Sequence, residues 1–340
     1  MSQFKNKENN KKLPFVSICT PTFNRRPFIP YLIKCIELQT YPMELMEWII
    51  IDDGSDKVED IIDEFKLRSN GLQVKYFACA KQLTLGNKRN IMHDKCTGEI
   101  IVYMDDDDYY PPERVSHAVE TLLANPAALC AGSSEMHIYF DHIKTLYQCG
   151  PYGPNHSTAA TFAFRRGLLT RVRYDDESAV AEEKHFLKNY TIPFVQLDTT
   201  KTILVFAHIH NSVDKKTLIE SPNKYIQKSP KQLSEFFSNN CKETQQLRQF
   251  YVDNLNETIA AYSLGKPELK PEMMKQINNM AEERKKMLGP LQELHEQMQN
   301  QFNTQMLEMR ASYEQALANK DYLIQLLMKQ NKELKESKNK

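Results

Sequence analysis

Four short, almost wholly apolar stretches in the first 105 residues constrain this chain most: 15–20 (FVSICT), 47–51 (EWIII), 74–78 (VKYFA) and 100–104 (IIVYM). Their β-branched and aromatic residues suit strands, and the near absence of polar alternation predicts strands covered on both faces, as in a parallel sheet. Helical patterns fill the gaps at 27–39, 58–68 and 86–95, and another follows at 112–124. Pro27 and Pro112 stand near the starts of the first and last of these, where proline is tolerated. A β-α-β-α order predicts an open α/β sheet whose ligands sit at the carboxyl ends of the strands. From 129 to 210 the pattern is mixed, with strand-like pieces at 136–141, 159–164 and 202–209 and a helix at 181–190. Residues 231–264 read as further helix.

The tail is of another kind. All 10 glycines and all 16 prolines lie at or before Pro290. Beyond it, apolar residues recur by threes and fours from Leu291 and Leu294 through Met298, Phe302, Met306, Met309 and Tyr313 to Leu323 and Leu327. This spacing is that of a heptad seam, with a stutter near Phe302. It predicts a coiled coil of roughly 70 Å that joins copies of the chain. The alternative is one amphipathic helix lying along the globular part. The expected organisation is a polar N-terminus at 1–12, an α/β domain at 13–230, a helical extension at 231–290 and a coiled-coil tail at 291–340.

Charge and cysteine usage exclude several classes. Lys plus Arg and Asp plus Glu each number 44, so the chain carries no basic excess to coat nucleic acid. No apolar run reaches the roughly 18 residues of a membrane span. The lysine-rich start (MSQFKNKENNKK) lacks the apolar core of a secretory signal. The 7 cysteines are an odd number with no C-x-x-C pair, which suits free thiols in a reducing compartment. Together these predict a cytoplasmic protein.

The strand ends hold the chemistry. The first strand runs into Pro21-Thr22-Phe23-Asn24-Arg25, the second into Asp52-Asp53-Gly54-Ser55, and the fourth into Asp105-Asp106-Asp107-Asp108. Neither G-x-G-x-x-G nor G-x-x-x-x-G-K-[ST] occurs, so a phosphate ligand needs another device. Four adjacent like charges repel one another, and a bound dication relieves that repulsion. Alternation at a strand end would turn Asp105 and Asp107 to one ion and Asp106 elsewhere. Mg²⁺ and Mn²⁺ take such oxygen ligands and bridge to substrate phosphates. The plainer reading is a solvated acidic loop at the start of the helix at 112–124, where carboxylates also suit the helix dipole.

Taken together, VSICTPTFNR (16–25), WIIIDDGSD (48–56), GNKRN (86–90) and GEIIVYMDDDDYYPPERV (98–115) resemble, in order and spacing, the family 2 glycosyltransferases of GT-A fold. The likeness covers roughly residues 13–212. It implies a Rossmann-like open mixed sheet flanked by helices, a nucleotide-sugar donor (most readily a UDP-sugar), bound Mn²⁺ or Mg²⁺, and inversion at the anomeric carbon. By this resemblance Thr22, Asn24, Arg25, Asp52, Asp53, Arg89 and Asp106 fall on the nucleotide side. Asp105 and Asp107 fall at the D-x-D metal positions, and His210 is a further metal or diphosphate contact. AVAEEKHFL (179–187) resembles the family's E-D element, which places Glu183 as the base, with Glu182 beside it as the alternative; two acids opening a helix are equally ordinary without catalysis. Glutamate there departs from the family's aspartate by one methylene.

The only tryptophan, Trp48, lies inside a strand, so the Q-x-x-R-W element of processive synthases is absent. The expectation is one sugar per encounter, delivered to a glycan, protein or small-molecule acceptor. Two other functions remain in view. A sugar-1-phosphate nucleotidyltransferase would need a glycine-rich loop where PTFNR stands. A non-catalytic coiled-coil adaptor would have no reason to keep the acidic cluster and Glu182/Glu183.

Overall fold

A computed structural model describes residues 12–180, 183–220, 223–237 and 241–338. The chain forms two compact units, one ending at Ile277 and the other beginning at Asn278.

The first unit opens with the expected alternation: β1 (Val16–Thr22), α1 (Ile29–Glu37), β2 (Met46–Asp52), α2 (Glu59–Lys66), β3 (Gln73–Ala78), α3 (Leu85–Lys95), β4 (Ile100–Tyr103) and α4 (Arg114–Ala124). Then come β5 (Cys130–Gly132), β6 (Met136–Phe140), β7 (Thr145–Cys149), β8 (Ala163–Arg165), α5 (Glu183–Phe186), β9 (Phe194–Gln196), β10 (Val205–Ala207) and β11 (Ile226–Lys228). Among the described residues the main sheet has the order β3-β2-β1-β4-β8-β5-β9, and a second sheet has the order β10-β6-β7-β11. β1 pairs in parallel with β2 and β4, and β3 joins β2 in the same sense, whereas β8 runs antiparallel to β4. This is the open mixed α/β sheet expected from the sequence.

The apolar strands behave as two-sided burial requires. Ile18, Trp48, Ile50, Ile100 and Val102 enter one core, with Leu32 and Ile36 of α1, Phe65 of α2 and Leu122 of α4. Their neighbours Cys19, Ile49, Ile51, Ile101 and Tyr103 enter the other, with Met92 of α3 and Phe186 of α5. Alternate residues thus bury against helices on opposite faces, at roughly 1.5–3 kcal/mol for each large side chain. Because β1, β2 and β4 are parallel and in register, Thr22 lies beside Asp52, and Asp105 follows close after β4 on the same edge.

The later elements depart from expectation in detail. Only Ala163–Arg165 of the piece at 159–164 extends into a strand, after a 3-10 turn at Ala159–Thr161. The stretch 231–264 breaks into α6 (Leu233–Phe236), α7 (Lys242–Arg248), a π-helical turn (Gln249–Asn254) and α8 (Leu255–Ala260). Phe250 of that turn stacks on Tyr31 at 3.5 Å, and the Tyr251 hydroxyl donates to the Asp108 carbonyl at 2.9 Å. These contacts tie the extension to the acidic run. The last helix, α9 (Pro271–Lys338), starts twenty residues before the expected 291 and contains Pro290. In the second unit Met298, Phe302, Met309, Tyr313, Leu323 and Leu327 are all exposed. No described helix is long and apolar enough to cross a membrane.

Candidate active site

At the carboxyl edge of β1, β2 and β4 a cavity of about 340 Å³ opens among Phe23, Arg25, Asp53, Lys88 and Asp105 to Asp107. Its rim includes the loop before α3, Ala179, Ser212 and the segment around Lys270.

The two acids that end β2 divide. Asp53 lines the cavity, while Asp52 is wholly buried and turned into its own loop. Asp52 accepts from the backbone N–H of Gly54 (2.9 Å) and Val58 (3.0 Å) and from the Tyr76 hydroxyl (2.7 Å). With both oxygens accepting from its own loop and Tyr76, Asp52 shapes the turn and does not line the cavity. Asp53 accepts from the Leu83 N–H at 2.7 Å and from the buried Lys88 ammonium, which also donates to the Thr22 carbonyl at 3.0 Å. Thr22 itself is buried at the end of β1.

Lys88 comes from the GNKRN string, one residue before the Arg89 singled out from sequence. Neighbours on a helix diverge by about 100°, so the two serve different surroundings. The Arg89 guanidinium lies 4.3 Å from the centre of the Tyr103 ring and 3.6 Å from Asp105, without lining the cavity. Gly86 explains how α3 packs so closely: a β-carbon there would lie 2.0 Å from the Asp175 carbonyl oxygen. Thr84 caps the helix, accepting from the Asn87 N–H at 3.2 Å.

Arg25 is the central cation. It is buried, donates to the carbonyls of Gly265 (2.9 Å) and His210 (2.7 Å), and lies 3.4 Å from both Asp106 and Asp107. Asn24 instead braces the loop, accepting from the Asp56 N–H at 2.9 Å and donating to the Leu264 carbonyl at 3.0 Å.

All three of Asp105, Asp106 and Asp107 line the cavity. The alternation that would have turned Asp106 elsewhere does not apply, because β4 ends at Tyr103 and a turn follows. Burial and the Asp107 charge push the Asp106 carboxyl up to about 7, against the pull of Arg25. Burial also opposes ionisation of Asp107, but contact with His208 and the charge of Arg25 outweigh it and hold that carboxyl well below its usual range. Burial brings His208 down to about 4 despite Asp107, so its ring is neutral at pH 7. Its Nδ1 accepts from the His210 N–H at 3.2 Å, and its Nε2 lies 2.9 Å from the Asn211 side-chain nitrogen and 3.5 Å from Asp107. His208 therefore touches the acidic run. His210, preferred from sequence, is buried and does not line the cavity, and among the described residues neither of its ring nitrogens has a hydrogen-bond partner.

Two lysines went unnoticed in the sequence. Lys215 stands near Asp107 and Asp108, and burial lowers its ammonium despite them. Lys270 lines the cavity, and burial with Arg25 and Lys88 lowers it to about 7. Each sits far along the chain from any motif, so only the fold brings it in.

Among the described residues no three His, Cys, Asp or Glu side chains converge as a complete metal site. Mg²⁺ and Mn²⁺ sites often use only one or two carboxylates, with phosphate oxygens and water completing the shell. Asp105 and Asp107 on one cavity wall, the latter held ionised, fit such a half-site. His210 is not among the residues that line the cavity. Glu183 opens α5 without lining the cavity, and Glu182 lies outside the described residues.

Residues 17–173 match the family described as glycosyl transferase family 2. A GalNAc(5)-diNAcBac-PP-undecaprenol β-1,3-glucosyltransferase of Campylobacter jejuni is 34% identical over 114 residues, 33% of this chain and 34% of the relative. The poly(ribitol-phosphate) β-N-acetylglucosaminyltransferase TarS of Staphylococcus aureus is 27% identical over 103 residues, 30% of this chain and 18% of the relative. The chain thus spans about a third or less of the length of these two relatives. A solved mannosyltransferase of Pyrobaculum calidifontis, in complex with GDP-Man and Mn²⁺, is 17% identical with a TM-score of 0.47, covering 57% of each chain.

Proposed function

We propose that this chain, whose residues 17–173 belong to glycosyl transferase family 2, moves one sugar at a time from a nucleotide-sugar donor to an acceptor hydroxyl. The donor is a UDP-sugar, and the reaction inverts the anomeric carbon. One observation carries the reading: Asp53, Asp105, Asp106, Asp107, Arg25 and Lys88 meet on a single cavity at the carboxyl edge of a parallel sheet. Ligands of open α/β sheets bind there.

In this reading Asp53, with Lys88 holding its carboxylate in place, faces the nucleoside. Arg25, poised between Asp106 and Asp107, is a cation placed to serve the diphosphate. Asp107 and Asp105 would hold Mn²⁺ or Mg²⁺, which would supply positive charge for the diphosphate leaving group. Glu183 at the head of α5, with Glu182 as the alternative, takes the proton from the acceptor hydroxyl. The exposed apolar stripe of the second unit joins copies of the chain as a coiled coil.

Replacing Asp107 tests the site. Asp107→Ala should abolish the Mn²⁺-dependent part of UDP-sugar affinity while Trp48 fluorescence reports an intact globular unit. Metal-dependent binding at the level of the unaltered protein would remove the assignment.

A further inference from the structure

The cavity has a wall that the family match does not reach. Residues 262–276, a strap that begins nearly ninety positions beyond the matched segment, bring Lys270, Glu272 and Met273 to its lining. The strap is fastened at several points. The Tyr262 hydroxyl donates to Asp56 at 2.7 Å, and the Leu264 and Gly265 carbonyls accept from Asn24 and Arg25. Gln82 donates to the Leu269 carbonyl at 3.3 Å. At the far end Gln276 accepts from the Ala179 N–H at 2.8 Å and donates to the Glu177 carbonyl at 2.7 Å. The fit is close: a β-carbon on Gly265 would lie 2.5 Å from Nδ1 of His210.

Of the three strap residues that line the cavity, Lys270, Glu272 and Met273, Lys270 is the cation. Its side chain lines the cavity together with Lys88, Arg25 and the three aspartates. Among the described residues its ammonium makes no hydrogen bond or salt bridge, and it lies over the face of Phe23 at 5.0 Å from the ring centre. The other cations of this wall are engaged: Lys88 with Asp53 and Thr22, and Arg25 with two carbonyls and two carboxylates. A half-buried ammonium without an acceptor is costly unless an anionic ligand completes it.

We propose that the strap 262–276 is a structural wall of the donor site and that Lys270 binds the diphosphate of the nucleotide. This rests on the donor reading above and extends it to a segment outside the family match. An ammonium is suited to the task, since it acts as a point charge that can meet phosphate oxygens from several directions. The family-matched residues alone would then make an incomplete pocket.

The test is calorimetric titration of the full chain, with Mn²⁺ present, using UDP and uridine and, in parallel, GDP and guanosine. Lys270→Met should weaken the nucleoside diphosphate by roughly 10- to 100-fold, the scale of one charge-assisted hydrogen bond, and leave the nucleoside unchanged. Lys270→Arg should keep most of the affinity. Gly265→Val, which pushes the strap off His210, should reproduce the loss seen with Lys270→Met. Equal loss of nucleoside and diphosphate, or no loss of either, would overturn the role of Lys270. Unchanged binding in Gly265→Val would overturn that of the strap. If the unaltered protein binds neither diphosphate, the donor reading fails first and this inference with it.

Discussion

Lys88→Met would show how far the cavity depends on its own internal charge pairing. The Asp53 side chain is 1% exposed and the Lys88 side chain 7%, so their contact is shielded from solvent. Removing the ammonium leaves the Asp53 carboxylate with the Leu83 N–H as its remaining donor among the described residues, and takes a donor from the Thr22 carbonyl. Breaking a buried pair from one side costs about 3–5 kcal/mol, mostly as the penalty of the stranded charge. Trp48 is the only tryptophan and is fully buried in β2, so its fluorescence follows the first unit alone during urea unfolding. With a slope of about 3 kcal/mol/M, the midpoint should fall by roughly 1–1.7 M. Adding Asp53→Asn should recover much of that loss, because the stranded charge is gone. A midpoint for Lys88→Met within about 0.3 M of the unaltered protein would refute the reasoning. So would a double variant less stable than the sum of the singles.

Other perturbations address the remaining assignments. Glu183→Gln should depress sugar transfer by about 10²-fold or more while donor affinity holds; an unchanged rate would move the base to Glu182 or elsewhere. Removing residues 291–340 should lower the mass seen by light scattering to that of one chain, and an unaltered mass would show that this stripe does not join copies. His93 is buried against Tyr103 and lowered to about 3 by burial and then by Arg89, so it is neutral in the folded chain. Because the unfolded histidine binds a proton below about 6.5, its stabilising effect is complete above that pH and is lost as pH falls toward 3, by about 2 kcal/mol at pH 5. His93→Gln should flatten the acid limb of stability by that amount, and an unchanged limb would count against it.

What the sequence shows most clearly is what short-range pattern encodes. Ile49 and Ile50 point to opposite cores, so β2 must be apolar throughout, and that run is visible without any structure. The turn chemistry after each strand is equally local, which is why Asp53 and Asp105 to Asp107 could be picked out. Finer choices fail for a physical reason. Asp52 and Asp53 are adjacent and alike in sequence, yet hydrogen bonds from Gly54, Val58 and Tyr76 claim the first. Lys88 and Arg89 differ only by a step around α3, and His208 and His210 are separated by a turn whose geometry periodicity does not encode. Lys215 and Lys270 reach the acidic run from distant loops, and no local signal marks such approaches.

The arrangement of charge also suggests why the cavity can be assembled before any ligand arrives. Asp53 is paired with Lys88, and Asp106 and Asp107 lie on either side of Arg25, so most of the acids are compensated from within. A dication bound to the diphosphate of a nucleotide sugar brings about as much positive as negative charge. It could therefore enter by exchange of partners: Asp106 and Asp107 would be released from Arg25 to hold the metal, and Arg25 and Lys270 would be left to hold phosphate. Such an exchange leaves the net charge of the buried region nearly constant and avoids the desolvation penalty of adding one unpaired ion. A free diphosphate or a free metal would each unbalance the cavity. Binding of the two should accordingly be mutually reinforcing, each raising the affinity of the other by the same factor. Titrations of UDP with and without Mn²⁺, and of Mn²⁺ with and without UDP, measure that factor from both sides; independent binding would show that the paired charges do not exchange.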